Sequence, residues 1–363
     1  MKRYGRKLFL VLALGLLLCT ACSSSEPQPV TETYTATIDE REMYGSQLLV
    51  YGTQVIQTAM GLDTGDCTYY AYDMVTEQRE EIGYIPYFAM QARHQTVLDN
   101  ALYFYVGVND IENMVMKNVL YRIDLGSMKM EAISENEYPR HMIPLISWKD
   151  EIWALEGEAS ASGKEVIFIE VLDDDGEVKR RIDMEEIAGE DRTILGFAED
   201  GGYLYTIERP TVGPYVYWCQ YSEDMQRLQD IEISALMEEY NITNCSTFYV
   251  FGDYFWLSNS SIHSMLCKVE NGTVEALMGS RGLEYAVNYY DTEPYEYLCQ
   301  KETDKVYKLN KETGEIETLE MDFGNEETGI QIVLRGPDAL LMTRINWSNV
   351  EEQLNYLYLF PNP

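Results

Sequence analysis

Seven arginines carry the clearest chemical signal in this sequence. Arg41, Arg93, Arg140, Arg192 and Arg281 each stand just ahead of a short apolar run, and Arg209 and Arg344 stand at the ends of two others. Beyond residue 21 the chain has only thirteen arginines. A guanidinium is a planar fork of donors that matches carboxylates and phosphates. A set gathered on one face would bind an anion such as an acidic sugar, a teichoic acid or a peptidoglycan fragment. The competing reading is that each arginine pairs with a nearby acid, such as Glu40, Glu42, Glu137, Asp191 or Glu208, and ties neighbouring segments together.

Other groups belong to the same region. His94 and His141 directly follow Arg93 and Arg140, and His263 lies between two strand-like runs. Three histidines on one face could hold a metal or act as a base, but no ligand-like spacing is visible and no metal is expected. Tyr215, in Gly213-Pro-Tyr-Val, and Trp347, in Asn346-Trp-Ser-Asn, are loop aromatics suited to sugar or protein contacts, or to loop packing. Asp173-Asp-Asp-Gly-Glu177 resembles a piece of a calcium loop without the remaining spacing or the closing Glu, so a hairpin turn explains it. No nucleophile elbow, zincin motif or phosphate-cradling glycine loop occurs, and no cofactor is expected. A glycosidase-type acid pair among the 61 acids stays open, because space and not sequence sets it.

The elements that must position these residues repeat. Apolar runs of one form recur as Tyr69–Asp73, Leu120–Asp124, Ile167–Val171, Trp218–Ser222, Leu266–Glu270, Val306–Asn310 and Tyr356–Phe360. Their ends are spaced by 51, 47, 51, 48, 40 and 50 residues. Each is preceded by a second run, such as Tyr203-Leu-Tyr-Thr-Ile or Tyr254-Phe-Trp-Leu, entered through a turn such as Asp200-Gly-Gly or Gly252-Asp. Fourth runs follow Asp174-Asp-Gly-Glu, Asn271-Gly-Thr and Thr313-Gly-Glu. Four short strands per period of 40–50 residues is the signature of a propeller blade.

The seventh unit ends at Phe360 after three strands, while a lone strand, Tyr34–Ile38, precedes the first unit. Pairing that strand with the last unit would close the ring and remove its open edges. The expected fold is therefore all-β, a seven-bladed propeller of four-stranded blades over residues 33–363. Only residues 185–190 and 234–240 look helical. In this architecture first strands line a central channel, and the arginines and loop aromatics fall on one mouth.

Residues 1–21 read as a leader: Lys2, Arg3, Arg6 and Lys7, then the apolar run Leu8–Leu18, which is too short to span a bilayer. Residues 22–32 read as a Ser/Pro tether that extends to roughly 35 Å at most. Without the leader the chain carries 23 Lys+Arg against 61 Asp+Glu. That balance argues against nucleic acid, whose phosphates it would repel, and against lying flat on anionic lipid. Five later cysteines, Cys67, Cys219, Cys245, Cys267 and Cys299, show no framework spacing and read as small core residues.

Leu18-Cys19-Thr20-Ala21-Cys22 resembles a bacterial lipobox, departing from it at Cys19, where Leu is usual. With the tether and the tandem blades, the chain resembles the secreted propeller lipoproteins of Gram-positive bacteria, akin to TolB-like propellers. That resemblance implies lipidation at Cys22, an anchor in the outer leaflet of the cell membrane, and an extracytoplasmic binding or scaffolding role. The expected partner is a cell-envelope protein or an anionic glycan. The alternatives are a carbohydrate-active enzyme using channel-mouth carboxylates, and an envelope assembly or sensor subunit.

Overall fold

The computed structural model describes residues 33–37, 47–61, 65–110, 115–136, 145–159, 165–259, 263–289, 294–301, 305–319, 328–336, 339–346 and 353–359. After β1 (Thr33–Thr37), strands come in groups of four, each group an antiparallel sheet in chain order. The first group is β2 (Gln47–Tyr51), β3 (Gln54–Gly61), β4 (Asp66–Asp73) and β5 (Gln78–Ile85). The second is β6 (Phe88–Leu98), β7 (Ala101–Asp110), β8 (Val115–Asp124) and β9 (Lys129–Asn136). The third is β10 (Leu145–Trp148), β11 (Glu151–Ala159), β12 (Glu165–Leu172) and β13 (Val178–Asp183), followed by the short helix α1 (Met184–Ala188). The fourth is β14 (Arg192–Asp200), β15 (Tyr203–Pro210), β16 (Tyr217–Tyr221) and β17 (Arg227–Glu232), followed by α2 (Ser234–Glu239). The fifth is β18 (Thr247–Phe251), β19 (Tyr254–Ser258), β20 (His263–Glu270) and β21 (Thr273–Arg281). The sixth is β22 (Leu283–Tyr285), β23 (Tyr295–Gln300), β24 (Lys305–Asn310) and β25 (Ile316–Leu319). The last three strands are β26 (Thr328–Arg335), β27 (Ala339–Asn346) and β28 (Gln353–Leu359), and β1 completes their sheet.

The described strands thus group into seven four-stranded sheets. β1 lies antiparallel to β28, with Thr33 opposite Tyr358 and Thr37 opposite Leu354, which is the pairing expected of the early strand. Successive sheets touch: β6 meets β10, β10 meets β14, β14 meets β18, β20 meets β22 and β23 meets β26. β26 in turn touches β2, so the last sheet packs on the first.

The second strands show why the sequence stacks this way. In β7, Leu102, Phe104 and Val106 pack with the first sheet, while Ala101, Tyr103 and Tyr105 pack with the third. A strand covered on both faces loses polar alternation and reads as one apolar run. Fourth strands lie at the rim, and their burial fades: β13 is exposed at all but one of its six positions.

Turn chemistry sets the registers. Asp99 and Asn100 join β6 to β7 with φ of 48° and 62°, and Lys149 and Asp150 join β10 to β11 with 56° and 57°. Two successive residues at positive φ are the geometry of a type I′ hairpin, which matches strand twist. The Asp that ends the third-strand motif caps the following turn. Asp73 Oδ1 accepts the amides of Val75 and Thr76, and Asp124 Oδ1 accepts that of Ser127. Asn310 does the same for Glu312 and Thr313. Asp173 accepts the amides of Asp175 and Glu177, so the acid-rich stretch is a hairpin turn, as expected. No cluster of metal-type ligands occurs among the described residues.

The expected tryptophan core is present: Trp148, Trp153, Trp218 and Trp256 are buried. The five described cysteines are all free thiols. One boundary shifts. β6 begins at Phe88, so Arg93 and His94 lie inside a first strand and not ahead of it. They fall where the register slips between Gln91, opposite Val106, and Gln95, opposite Phe104. Such a bulge inserts extra residues that interrupt the apolar pattern, which is why the strand's earlier part reads as loop.

Candidate functional site

Arg192 opens β14 and Arg209 nearly closes β15; the two strands meet at that end, with Arg192 opposite Pro210 and Thr193 opposite Arg209. The two expected arginines are therefore side by side at one end of the fourth sheet. Arg192 is not open to a ligand. Its Nη1 and Nη2 donate to the two carboxylate oxygens of Asp230 at 3.0 and 2.9 Å, and Nη1 also reaches Glu208 at 3.2 Å. Its guanidinium lies 4.2 Å over the Tyr217 ring. The Asp230 hydrogen bonds, opposed by burial and aided by Glu208, hold Arg192 more firmly protonated than usual.

Glu208 is 0% exposed. Besides Arg192 it accepts from Arg227 Nη2 at 3.1 Å, from the Thr206 hydroxyl at 2.6 Å and from the Tyr221 hydroxyl. Arg227 also donates to the Ala188 carbonyl at 2.8 Å and so covers the C-terminal end of α1. Burial, then the bond to Glu208, pushes the Tyr221 phenol up. A buried carboxylate survives only with such partners. The pairing alternative describes Arg192, and the cluster ties α1 to the fourth sheet.

The remaining expected residues divide by position. Arg209 Nη2 donates to the Thr243 carbonyl at 3.0 Å, joining its strand to the segment before β18. Arg281 ends β21, exposed, with His263 opposite it on β20. The His263 amide donates to Asn259 Oδ1 at 3.0 Å. Tyr215 lies in the exposed stretch Thr211–Tyr215 between β15 and β16. There Val212 is 84% exposed and Tyr215 47%. Arg93 and His94 in β6, and Arg344 in β27, have a described backbone only. Arg41, Arg140, His141, Trp347 and Cys22 lie outside the described residues.

The centre of the ring holds a channel with a cavity volume of about 130 Å³. First strands line it, as expected, with Gln95, Thr96, Ser147 and Thr247 among the contributors, and Asn288 and Tyr289 join from the segment after β22. Apolar residues such as Leu195, Phe197 and Phe248 and the acids Glu199 and Asp200 complete the lining. Glu296, buried, lines it from β23. Its Oε2 accepts from the Tyr285 hydroxyl at 2.9 Å and from Arg335 Nη1 at 3.3 Å, and Lys311 Nζ lies 3.3 Å from Oε1. Burial pushes the Glu296 carboxyl up, with Arg335, Lys311 and Tyr285 pulling against it.

Sequence reading named Glu208 among the acids that could pair with the arginines, and Arg192 does reach it, but its burial and its other partners, and the whole Glu296 cluster, were missed. Glu208 did carry a signal: an acid directly after Leu-Tyr-Thr-Ile in a strand otherwise apolar, repeated by Glu156 after Ile-Trp-Ala-Leu. A charge inside a two-faced apolar strand requires a partner. The partners Tyr221 and Arg227 of Glu208 come from other strands and could not be read.

No known protein family matches the chain, and no curated protein matches it. Solved structures do. Among them is the β-propeller domain of the Trilobed protease from Pyrococcus furiosus, at 12% identity and TM-score 0.53, over 88% of this chain and 99% of that one. The chain is a β-propeller. Its blades are four-stranded and antiparallel. An uncharacterized Listeria monocytogenes protein, lmo1340, matches at 11% identity and TM-score 0.51, over 90% of this chain and 96% of that one. Pyrococcus horikoshii acylaminoacyl peptidase matches at 12% identity and TM-score 0.51, over 85% of this chain. The propeller spans half the length of that peptidase. At such identities the likeness establishes fold alone. The Trilobed protease propeller is described as having an open velcro topology; in this propeller β1 pairs with β28.

Proposed function

We propose that this chain is a lipid-anchored, extracytoplasmic binding protein: a leader over residues 1–21, a lipid on Cys22, a tether over 22–32 and a seven-bladed propeller over 33–363. Its ligand is a cell-envelope protein or glycan, engaged on the face that carries Arg209, Arg281 and Tyr215. The observation that carries the reading is the Thr211–Tyr215 loop, which projects Val212 and Tyr215 into solvent beside Arg209. Exposed tyrosine with arginine is the pairing that anchors interfaces. The anionic part of the original expectation loses Arg192, whose fork is filled by Asp230.

The test places a photocrosslinking residue at Tyr215 or Val212, with Leu228 on β17 as the control, in cells expressing the full chain. A discrete adduct from the loop and none from Leu228 supports the reading; equal adducts, or none, contradict it. Replacing Cys22 by Ala, with membrane partitioning as the readout, checks the anchor separately.

A second reading, a carbohydrate-active enzyme, draws on Glu296, a channel-lining carboxyl raised by burial. Tyr285, Arg335 and Lys311 already occupy its oxygens, so it ranks second. Turnover of an envelope glycan that E296Q abolishes would promote it.

A further inference from the structure

The seam between the fourth and fifth blades contains a second cavity, of about 310 Å³. It lies at the end of the blades opposite Arg209, where the Gly252-Asp253 turn and the Glu270–Gly272 turn of the fifth blade face the fourth. Its wall is a row across three strands: Tyr205 of β15, Gln220 opposite it on β16, and Gln229 opposite Gln220 on β17. Trp218, two residues before Gln220, lies on the same face.

Two polar atoms in this wall are buried and lack a hydrogen-bond partner among the described residues: the indole Nε1 of Trp218 and Oε1 of Gln229. Trp218 is 3% exposed. Gln220 Nε2 is taken, donating to the Tyr205 hydroxyl at 3.1 Å. Trp148, Trp153 and Trp256 also have unpartnered indole N–H groups. Trp218 lines a cavity that also holds an unpartnered acceptor among the described residues. An orphaned donor and an orphaned acceptor each cost free energy unless a bound group supplies both partners.

We propose that this seam is a binding site for one ring of a neutral sugar. A sugar hydroxyl both accepts and donates, so a single ring can satisfy the indole N–H and the Gln229 oxygen together. A protonated amine cannot accept from the indole. A deprotonated acid group cannot donate to Gln229, and an anionic sugar, although its hydroxyls could, would be repelled by Asp253 and Glu270 in the same wall. The cavity lies away from the loop of the proposed partner face, so the two sites stand or fall separately.

The test follows the Trp218 indole signal by ¹⁵N NMR in the full mature chain, assigned by its loss in W218F. The probes are glucose, galactose and N-acetylglucosamine, with glucuronate as the anionic counterpart. At least one neutral sugar is expected to move the signal, and glucuronate is not. Titration of the same sugar into W218F and Q229M is expected to show binding about tenfold weaker in each, the effect of one lost hydrogen bond. Should W218F fail to fold, Q229M, at a half-buried rim-strand position, carries the test. The proposal is overturned if no neutral sugar moves the signal, if glucuronate binds as well, if both variants bind like the parent, or if ordered water alone fills the seam.

Discussion

The guanidinium of Arg192 grips the carboxylate of Asp230 through two parallel hydrogen bonds of 3.0 and 2.9 Å, and holds buried Glu208 at 3.2 Å. The role of Arg192 is structural. R192A is expected to lower the unfolding free energy by about 2 kcal/mol, below the full cost of breaking a buried pair because Arg227 still reaches Glu208. R192K, which cannot fork, is expected to recover only part of it. Urea denaturation checks both. Unchanged midpoints together with lost partner binding would make Arg192 a ligand residue instead.

Turn-capping acids set the acid limb of stability. The Ser127 hydroxyl and amide hold Asp124 below its usual range. Burial works upward on Asp73, but the Thr76 and Val75 amides and the Thr53 hydroxyl leave it lowered. A carboxyl depressed in the folded state contributes stability above its unfolded pKa and loses it as pH falls through the folded one. D73N and D124N keep an acceptor oxygen without the titration. Each is expected to flatten the loss of thermal stability below the ordinary carboxylate range; an acid limb identical to the parent's contradicts the assignment.

Glu296 has the opposite sign. Its folded pKa is raised, so its contribution is full below the unfolded carboxyl pKa and declines as pH rises through the folded value. The stability advantage of the parent over E296Q is therefore expected to shrink from acid to neutral pH. An advantage that grows over that interval would mean that Arg335 and Lys311 outweigh burial.

The free thiols should be silent in the native state. Burial pushes Cys67 and Cys245 up to about 12, and raises Cys219 and Cys267 as well. A thiol reagent near pH 8 is expected to label almost none of the five in the folded chain and all five in denaturant. Rapid labelling of any one in the native state would expose an unrecognised reactive cysteine.

The fold was legible because its devices are local. Turn residues at Asp99-Asn100 and Lys149-Asp150, and the capping Asp73, Asp124 and Asn310 that end three of the third strands, announce themselves within a few residues. Glu208 could be named as a pairing acid, but Asp230 could not, because it is 38 residues from Arg192 on β17 and only the register of the sheet β14-β15-β16-β17 brings it near. The position of Arg93 and His94 was hidden by the β6 bulge, which breaks the period that sequence reading depends on. The seam beside Trp218 was invisible for a third reason: it forms between two blades, and no stretch of sequence belongs to it.

Ring closure is the claim on which the seven-sheet architecture depends, and it rests on β1 lying along β28. Amide hydrogen exchange of residues 353–359 tests it directly, comparing a chain that begins at residue 22 with one that begins at residue 38. Strong protection in the former and its loss in the latter is the expected result. Equal protection in both chains would show that the early strand does not complete the last blade.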